Sequence, residues 1–468
     1  MKKLIITILY SLLLLIYVLA NLVAQSFSYS LEVVNRILLL GILIISISIS
    51  SIKCWKERNL LQPIMLVNGF IFFIFILRPI FLLINPSNVI YKSSFVMERY
   101  NSIYGINDIL QLPFSKALFI GVLGLMAIYF GYYVLAQSNN VRNENKIYVF
   151  DNISRINRNT ENDRKWIILW GIIAVLGIIM FFSKFSFTLL INTAGRRFLE
   201  GISFSVYESF WIYLIPCIII FMYIQKGHFY KISMYMVIMT YSILSMSIGR
   251  RYIVINILLV IIILEYYIDL KRKVNLKLIF LFIISFLAVI VYGSIRRNNI
   301  GANINASYFG FILDEFDMFD TLLLSLDYKA RIGLDLYGGA SYLSTLLRFI
   351  PESIWPNQPT YFDILHTQVL FKGTIHGGTP TSLLGSLFLN FSYLGVVFGG
   401  IIFGYIFNKV YNFCAKINTL ESLGYYALFC TFIYDIIRVG DIGREFWTLF
   451  IYLFAYYCVS FTIKRIKI

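Results

Sequence analysis

Long, unbroken apolar runs separated by short polar breaks make up most of this chain. They run at about Leu4–Ala24, Leu31–Ile52, Leu60–Ile84, Lys116–Ala136, Trp166–Phe182, Phe210–Ile224, Ile232–Ile248, a run ending before Asp269, Leu278–Gly293, Thr381–Phe407, Leu423–Ile437 and a last run ending at Lys464. An apolar helix of about 17 to 25 residues spans the roughly 30 Å of a bilayer's hydrocarbon. Apolar and polar positions do not alternate within the runs, so a β-barrel is excluded. The pattern predicts an all-α polytopic membrane protein with about 12 transmembrane helices.

Two polar stretches interrupt the pattern. Residues 137–165 are Asn-rich and mixed in charge, and read as a flexible cytoplasmic loop. Residues 294–380 form a long extracytoplasmic loop. The chain thus divides into a bundle of spans 1–9 (1–293), the loop (294–380) and a bundle of spans 10–12 (381–468). Within the loop, Phe309, Ile312, Phe316, Phe319, Leu323 and Leu326 step by three and four residues. That spacing predicts an amphipathic helix, with Asp314, Asp317 and Asp320 on another face, lying on the membrane or against the bundle. Leu343, Leu346, Leu347 and Ile350 predict a second short helix ended by Pro351. Three prolines between Pro351 and Pro359 preclude helix there. The glycines of span 10 (Gly385, Gly395, Gly399, Gly400, Gly404) read as close helix packing.

Composition agrees: 59% of residues are hydrophobic, 14% are charged and the mean hydropathy is +0.77. A soluble domain carries nearer a quarter charged. The net charge of +16 does not indicate nucleic acid, because the basic residues are scattered through short loops. Cys54, Cys217, Cys414, Cys430 and Cys458 have neither metal-ligand spacing nor a place in the long loop.

Placing both termini in the cytoplasm sorts the 40 Lys and Arg unevenly: 15 Lys and 7 Arg inside, 5 Lys and 13 Arg outside. Lysines inside follow the positive-inside rule. Arginines outside need another reason, and a planar, permanently charged fork that pairs two-pronged with phosphate supplies one. The doublets Arg196-Arg197, Arg250-Arg251 and Arg296-Arg297 lie on that side with Arg78, Arg331, Arg348, Arg438 and Arg444. Snorkelling to headgroups and pairing with carboxylates compete for each single Arg; for the set, an anion site at the outer leaflet is the reading. His366 and His376, in the long loop, are candidate bases or phosphate donors, as is Asp314 as a base. Loop histidines are more often structural, and an acidic run on an amphipathic helix is ordinarily its wet face. Arg438 and Asp441 form an expected supporting pair. No metal site is expected.

A series of short motifs then recurs in order: Gly249-Arg250-Arg251, Gly293-Ser294-Ile295-Arg296-Arg297, Tyr337-Gly338-Gly339-Ala340-Ser341-Tyr342, Ile350-Pro351-Glu352-Ser353-Ile354-Trp355-Pro356, Gly378-Thr379-Pro380-Thr381-Ser382 and Arg438-Val439-Gly440-Asp441. The ensemble resembles the bacterial oligosaccharide repeat-unit polymerases, the Wzy type of O-antigen and capsule pathways. The resemblance implies a GT-C-like fold and a metal- and cofactor-independent glycosyltransferase of the cytoplasmic membrane. It implies undecaprenyl-pyrophosphate-linked oligosaccharide substrates, with a chain-length regulator and a flippase as pathway partners. Two rival readings stand beside it. A lipid-linked oligosaccharide flippase would show two similar halves, and no internal repeat is visible. An O-antigen-ligase-type transferase shares the donor chemistry and differs in acceptor.

Overall fold

A computed structural model describes residues 31–57, 59–84, 95–105, 112–136, 171–172, 217, 220, 238, 252–268, 316–331, 333, 336–346, 354–355, 362–373 and 378–465. Every regular element among them is helical. In chain order they are α1 (Leu31–Lys56), α2 (Pro63–Ile84), α3 (Phe95–Tyr104), α4 (Phe114–Leu135), α5 (Tyr252–Ile268), α6 (Met318–Arg331), α7 (Ala340–Leu346), α8 (Phe362–Leu370), α9 (Ser382–Ile417), α10 (Leu420–Val439) and α11 (Ile442–Arg465). Five of these, α1, α2, α4, α9 and α10, are long and apolar enough to cross a membrane. The chain is a helical membrane protein. The runs at 4–24, 166–182, 210–224, 232–248 and 278–293 lie largely or wholly outside the described residues.

The described helices belong to two compact units. The first comprises 1–147, 304–411 and 433–444; the second comprises 148–303, 412–432 and 445–468. In the second, the Tyr267 and Tyr426 rings meet edge-on at 5.9 Å. The Tyr456 hydroxyl donates to the Glu421 carbonyl at 3.3 Å. Gly424 is required there, because a Cβ would strike Tyr456.

In the first unit, α1 packs on α2 and α4. Pro63 starts α2 at a position where a missing N–H costs nothing. Pro79 lies inside the same helix, and its ring crowds the carbonyl four residues back. A π-turn at Phe73–Leu77 widens the helix at that point. At one end of the unit, Asn59 donates to the Tyr411 hydroxyl at 2.5 Å and the Tyr132 hydroxyl to Gln62 at 3.4 Å. Lys53 lies 3.7 Å from the centre of the Tyr133 ring.

The predicted single span at 381–407 is instead a hairpin. A straight helix of 36 residues would be about 54 Å long, well beyond the membrane's hydrocarbon. Helical geometry breaks at Phe391 (φ −136°, ψ 17°) and Ser392 (φ 60°, ψ −152°). Glycine contacts give the path on either side. A Cβ on Gly395 would sit 2.5 Å from the Leu387 carbonyl oxygen, and one on Gly399 would strike the Leu387 side chain. Residues eight and twelve apart in a straight helix do not touch, so 393–417 folds back along 382–390. Helix α4 measures the course. Leu384 lies against Gly124, while Phe388 lies nearer the start of α4, beside Lys116. Tyr393 meets Phe119 at 5.8 Å, and Gly400 and Gly404 then pass Ala127 and Ile128. The first limb climbs toward the start of α4 and the second descends. The glycines pack as expected, two of them against the hairpin's own first limb.

The loop expected at 438–445 also differs. Helix continues to Val439 and resumes at Ile442, leaving a two-residue turn, Gly440-Asp441. Gly440 has φ +75°, and a Cβ there would strike the Ser382 carbonyl. The charged Arg444 and Glu445 belong to the first turn of α11.

Candidate functional site

Helix α6 is buried on nearly every side, against the bundle rather than on a membrane surface. Phe319, Leu322, Leu323, Leu324 and Leu326 are at most 1% exposed. Asp320, Thr321, Ser325 and Asp327 are buried as well, so Asp320 does not lie on a wet face. Its carboxylate takes both prongs of the Arg78 guanidinium, Nε to Oδ1 at 3.0 Å and Nη2 to Oδ2 at 2.5 Å, and both side chains are completely buried. One turn pair further on, Asp327 accepts from Arg331 Nε at 2.6 Å and from the Tyr100 hydroxyl at 3.1 Å. Burial, then the Asp327 charge, push the Tyr100 hydroxyl well above its ordinary 10.

Ser325, on the same helix, begins a chain of hydrogen bonds whose direction is determined. Its hydroxyl donates to the Thr321 carbonyl at 2.6 Å. A serine has one proton to give. At the His366 Nε2 contact, 2.7 Å long, Ser325 is therefore the acceptor and Nε2 carries the hydrogen. Burial holds the imidazolium down to about 3, so the ring is neutral. A neutral ring with Nε2–H has a bare Nδ1, which accepts a hydrogen bond from the Tyr337 hydroxyl at 3.0 Å. Phe362, one turn earlier on α8, stacks on the imidazole at 5.6 Å and 14°. The Tyr337 ring meets the edge of Phe362 at 5.4 Å. The phenol itself is pushed up to about 12 by burial.

Helix α8 is held at both ends. Gly373 (φ +72°), whose N–H bonds to the Gln368 carbonyl, closes its C-terminus. At its start, the Phe362 N–H donates to Asp441 Oδ2 at 3.0 Å, while Asp441 Oδ1 accepts from the Arg444 N–H at 3.1 Å. One carboxylate thus caps two helices, α8 and α11. Thr367 binds the Thr379 N–H at 2.6 Å and joins α8 to the strand of chain entering α9.

Tyr337 begins a tight turn. The Ala340 N–H bonds back to the Tyr337 carbonyl at 2.9 Å, and Gly338 and Gly339 have φ +56° and +82°. Positive φ at both central positions is the type I′ geometry, which favours glycine. Gly339 has a second reason, since a Cβ would approach Phe391 Cζ to 2.6 Å. The turn is fastened to the hairpin's first limb. The Tyr337 N–H donates to the Leu389 carbonyl at 3.0 Å, Ser341 to Asn390 Oδ1 at 2.7 Å, and the Tyr342 hydroxyl lies 3.4 Å from that of Ser386. The Tyr342 ring stacks on Phe391 at 5.6 Å. Ser382, Ser386 and Asn390 stand one helical turn apart, all buried.

Of the residues singled out in the sequence, His366, Arg78, Arg331, Arg438, Asp441 and Arg444 fall within the described structure. His366 and Asp441 meet through α8. Arg331 is paired with Asp327 and its side chain is 47% exposed. Arg438 lies 4.0 Å from Asp435 and over the Tyr434 ring. Arg78, counted among the arginines available to an anion, is matched by Asp320. Asp314, His376, Arg196, Arg197, Arg250, Arg251, Arg296, Arg297 and Arg348 lie outside the described residues. Ser325 and the double cap at Asp441 escaped the sequence reading, and Tyr337 entered it only as the start of a short motif. Asp327 with Arg331, four apart on a helix, and the glycine before Asp441 carried local signals. Compared with protein-family models, with curated proteins and with solved structures, the chain matches none.

Proposed function

We propose that this protein polymerises undecaprenyl-pyrophosphate-linked oligosaccharide units into a surface polysaccharide at the outer face of the cytoplasmic membrane. In this reaction the anomeric C–O bond to the lipid pyrophosphate breaks. A hydroxyl of the next lipid-linked unit forms the new glycosidic bond and loses its proton to a base. The lipid pyrophosphate leaves with the bonding electrons.

The packing of the described residues between 316 and 373 carries the reading. This segment lies between apolar helices, and it is built into the membrane unit through buried polar pairs instead of trailing as a hydrophilic connection. A segment that only joined two spans would not bury Asp320, Asp327 and His366. Buried polar networks within a membrane bundle are costly and accompany function. A broken helix ending among polar side chains is a further feature of sites that handle polar substrates within membranes.

Charge stabilisation of the departing pyrophosphate falls to fixed cations. Arg196, Arg197, Arg250, Arg251, Arg296, Arg297 and Arg348 take that role in this account. His376 and Asp314 are the candidate bases. His366, neutral and with both nitrogens engaged, acts by positioning. The test is Arg250→Ala and Arg297→Ala, each in cells lacking the native gene. Polymer should fall about tenfold or more at unchanged protein level. Normal polymer length in both variants contradicts the arginine assignment.

A further inference from the structure

The direction of the hydrogen-bond chain has a chemical consequence at its far end. Thr321 accepts from Ser325, Ser325 accepts from His366 Nε2, and His366 Nδ1 accepts from Tyr337. Each proton is committed inward. A phenol has one donor and two acceptor lone pairs. Tyr337 has therefore spent its only donor, and its oxygen faces any further ligand as an acceptor alone. Such an oxygen repels phosphate and other anions and attracts O–H and N–H groups.

The turn that carries this oxygen stands at the surface of its unit. Tyr337 is half-buried, and Leu336, Leu343 and Phe391 around it are 37%, 59% and 43% exposed. On the turn and the hairpin limb, Ser341 donates to Asn390 Oδ1 and Asn390 Nδ2 donates to the Ser386 carbonyl, while the Tyr328 phenol is near enough to act on Tyr337 electrostatically. The turn's backbone is held by the Leu389 carbonyl and by two glycines at positive φ. The phenol oxygen is thus preorganised in position as well as in polarity.

We propose that Tyr337 is a glycan-recognising residue whose phenol oxygen accepts a hydrogen bond from a sugar hydroxyl, with His366 as the positioning residue that commits its proton. This rests on the polymerase reading and deepens it: it places the sugar at the Tyr337 turn and the pyrophosphate elsewhere.

The test uses the full-length protein in phospholipid nanodiscs, wild type and Tyr337→Phe. Probes are methyl glycosides of a hexose, an N-acetylhexosamine and a 6-deoxyhexose, and separately inorganic pyrophosphate. Saturation-transfer NMR should show glycoside binding about fivefold to tenfold weaker in the variant, as the loss of one neutral hydrogen bond gives. Pyrophosphate binding should not change, and the thermal midpoint should fall only modestly, as His366 Nδ1 loses its donor. Glycoside signals equal in the two proteins, or none in wild type, overturn the proposal. A second readout does not depend on the ligand. The nitrogen spectrum of the three histidines, assigned with His366→Asn, should show His366 with its hydrogen on Nε2, and Tyr337→Phe should move its Nδ1 resonance. A hydrogen on Nδ1 would make Tyr337 the acceptor of that bond, free its own proton for a ligand and overturn the proposal. Failure of the polymerase reading looks different: polymer stays normal when the gene is deleted, whatever the glycosides do.

Discussion

Arg78 and Asp320 stand 242 positions apart and form a completely buried, two-pronged ion pair. It ties the segment between the apolar helices to the π-turned helix α2. Breaking such a pair from one side leaves a charge without its partner and costs about 3 to 5 kcal/mol, whereas replacing both partners by apolar residues is often neutral. Asp320→Asn should therefore lower the thermal midpoint sharply, and Arg78→Met with Asp320→Leu should recover most of the loss. A double variant no better than the single one contradicts this account of the pair.

Ser392 occupies a backbone region that is essentially reserved for glycine. Ser392→Gly should raise stability by about 1 kcal/mol, the strain relieved exceeding the entropy lost. Ser392→Val should lower it. Urea or thermal unfolding of the purified protein decides, and a fall on glycine substitution would show that the hairpin tip is unstrained.

Gly404 and Gly69 make a matched pair of probes. A Cβ at Gly404 would strike the Ile128 carbonyl, and one at Gly69 meets nothing within 4 Å. Gly404→Ala should cost about 1 to 3 kcal/mol as overpacking, while Gly69→Ala should gain slightly from helix propensity. Equal effects would contradict the close packing of 393–417 on α4.

His366 makes stability pH-dependent with a definite sign. Burial lowers its folded-state value from the ordinary 6.5 to about 3. Between those values the unfolded chain binds a proton that the folded protein refuses, so stability rises with pH. Its contribution is complete above about 6.5 and is lost as the pH falls toward 3. His366→Asn should be less stable at neutral pH and lose less on acidification. Parallel pH profiles for the two proteins, from melting at pH steps across that window, would place His366 in a wetter environment.

Much of the helical frame was legible in the chain. Apolar runs located α1, α2 and α4 to within a few residues, because a lipid-facing helix must be apolar along its whole length. The hairpin in α9 was not legible. No proline or glycine marks Phe391-Ser392, and an apolar run reads the same whether it crosses once or folds back. The wet face assigned to the acidic helix was misplaced for a related reason. Helical spacing puts Asp320 on a different face from Phe319 and Leu323, but it cannot reveal that Arg78, in another helix, covers that face. Gly440-Asp441 is a glycine stop followed by an Asp cap, which a stricter reading of helix ends would have found. The hydrogen-bond direction from Ser325 to Tyr337 exists only in three dimensions.

The central claim is polymerisation of lipid-linked units, and deletion of the gene tests it most directly. Surface glycan and its lipid-linked precursors are then resolved on gels, with the leaflet of each precursor determined. The account predicts single repeat units at the outer leaflet and no long chains. Unaltered long chains contradict it. Units held on the cytoplasmic face, or finished polymer held on its lipid carrier, contradict it in favour of a flippase or a ligase.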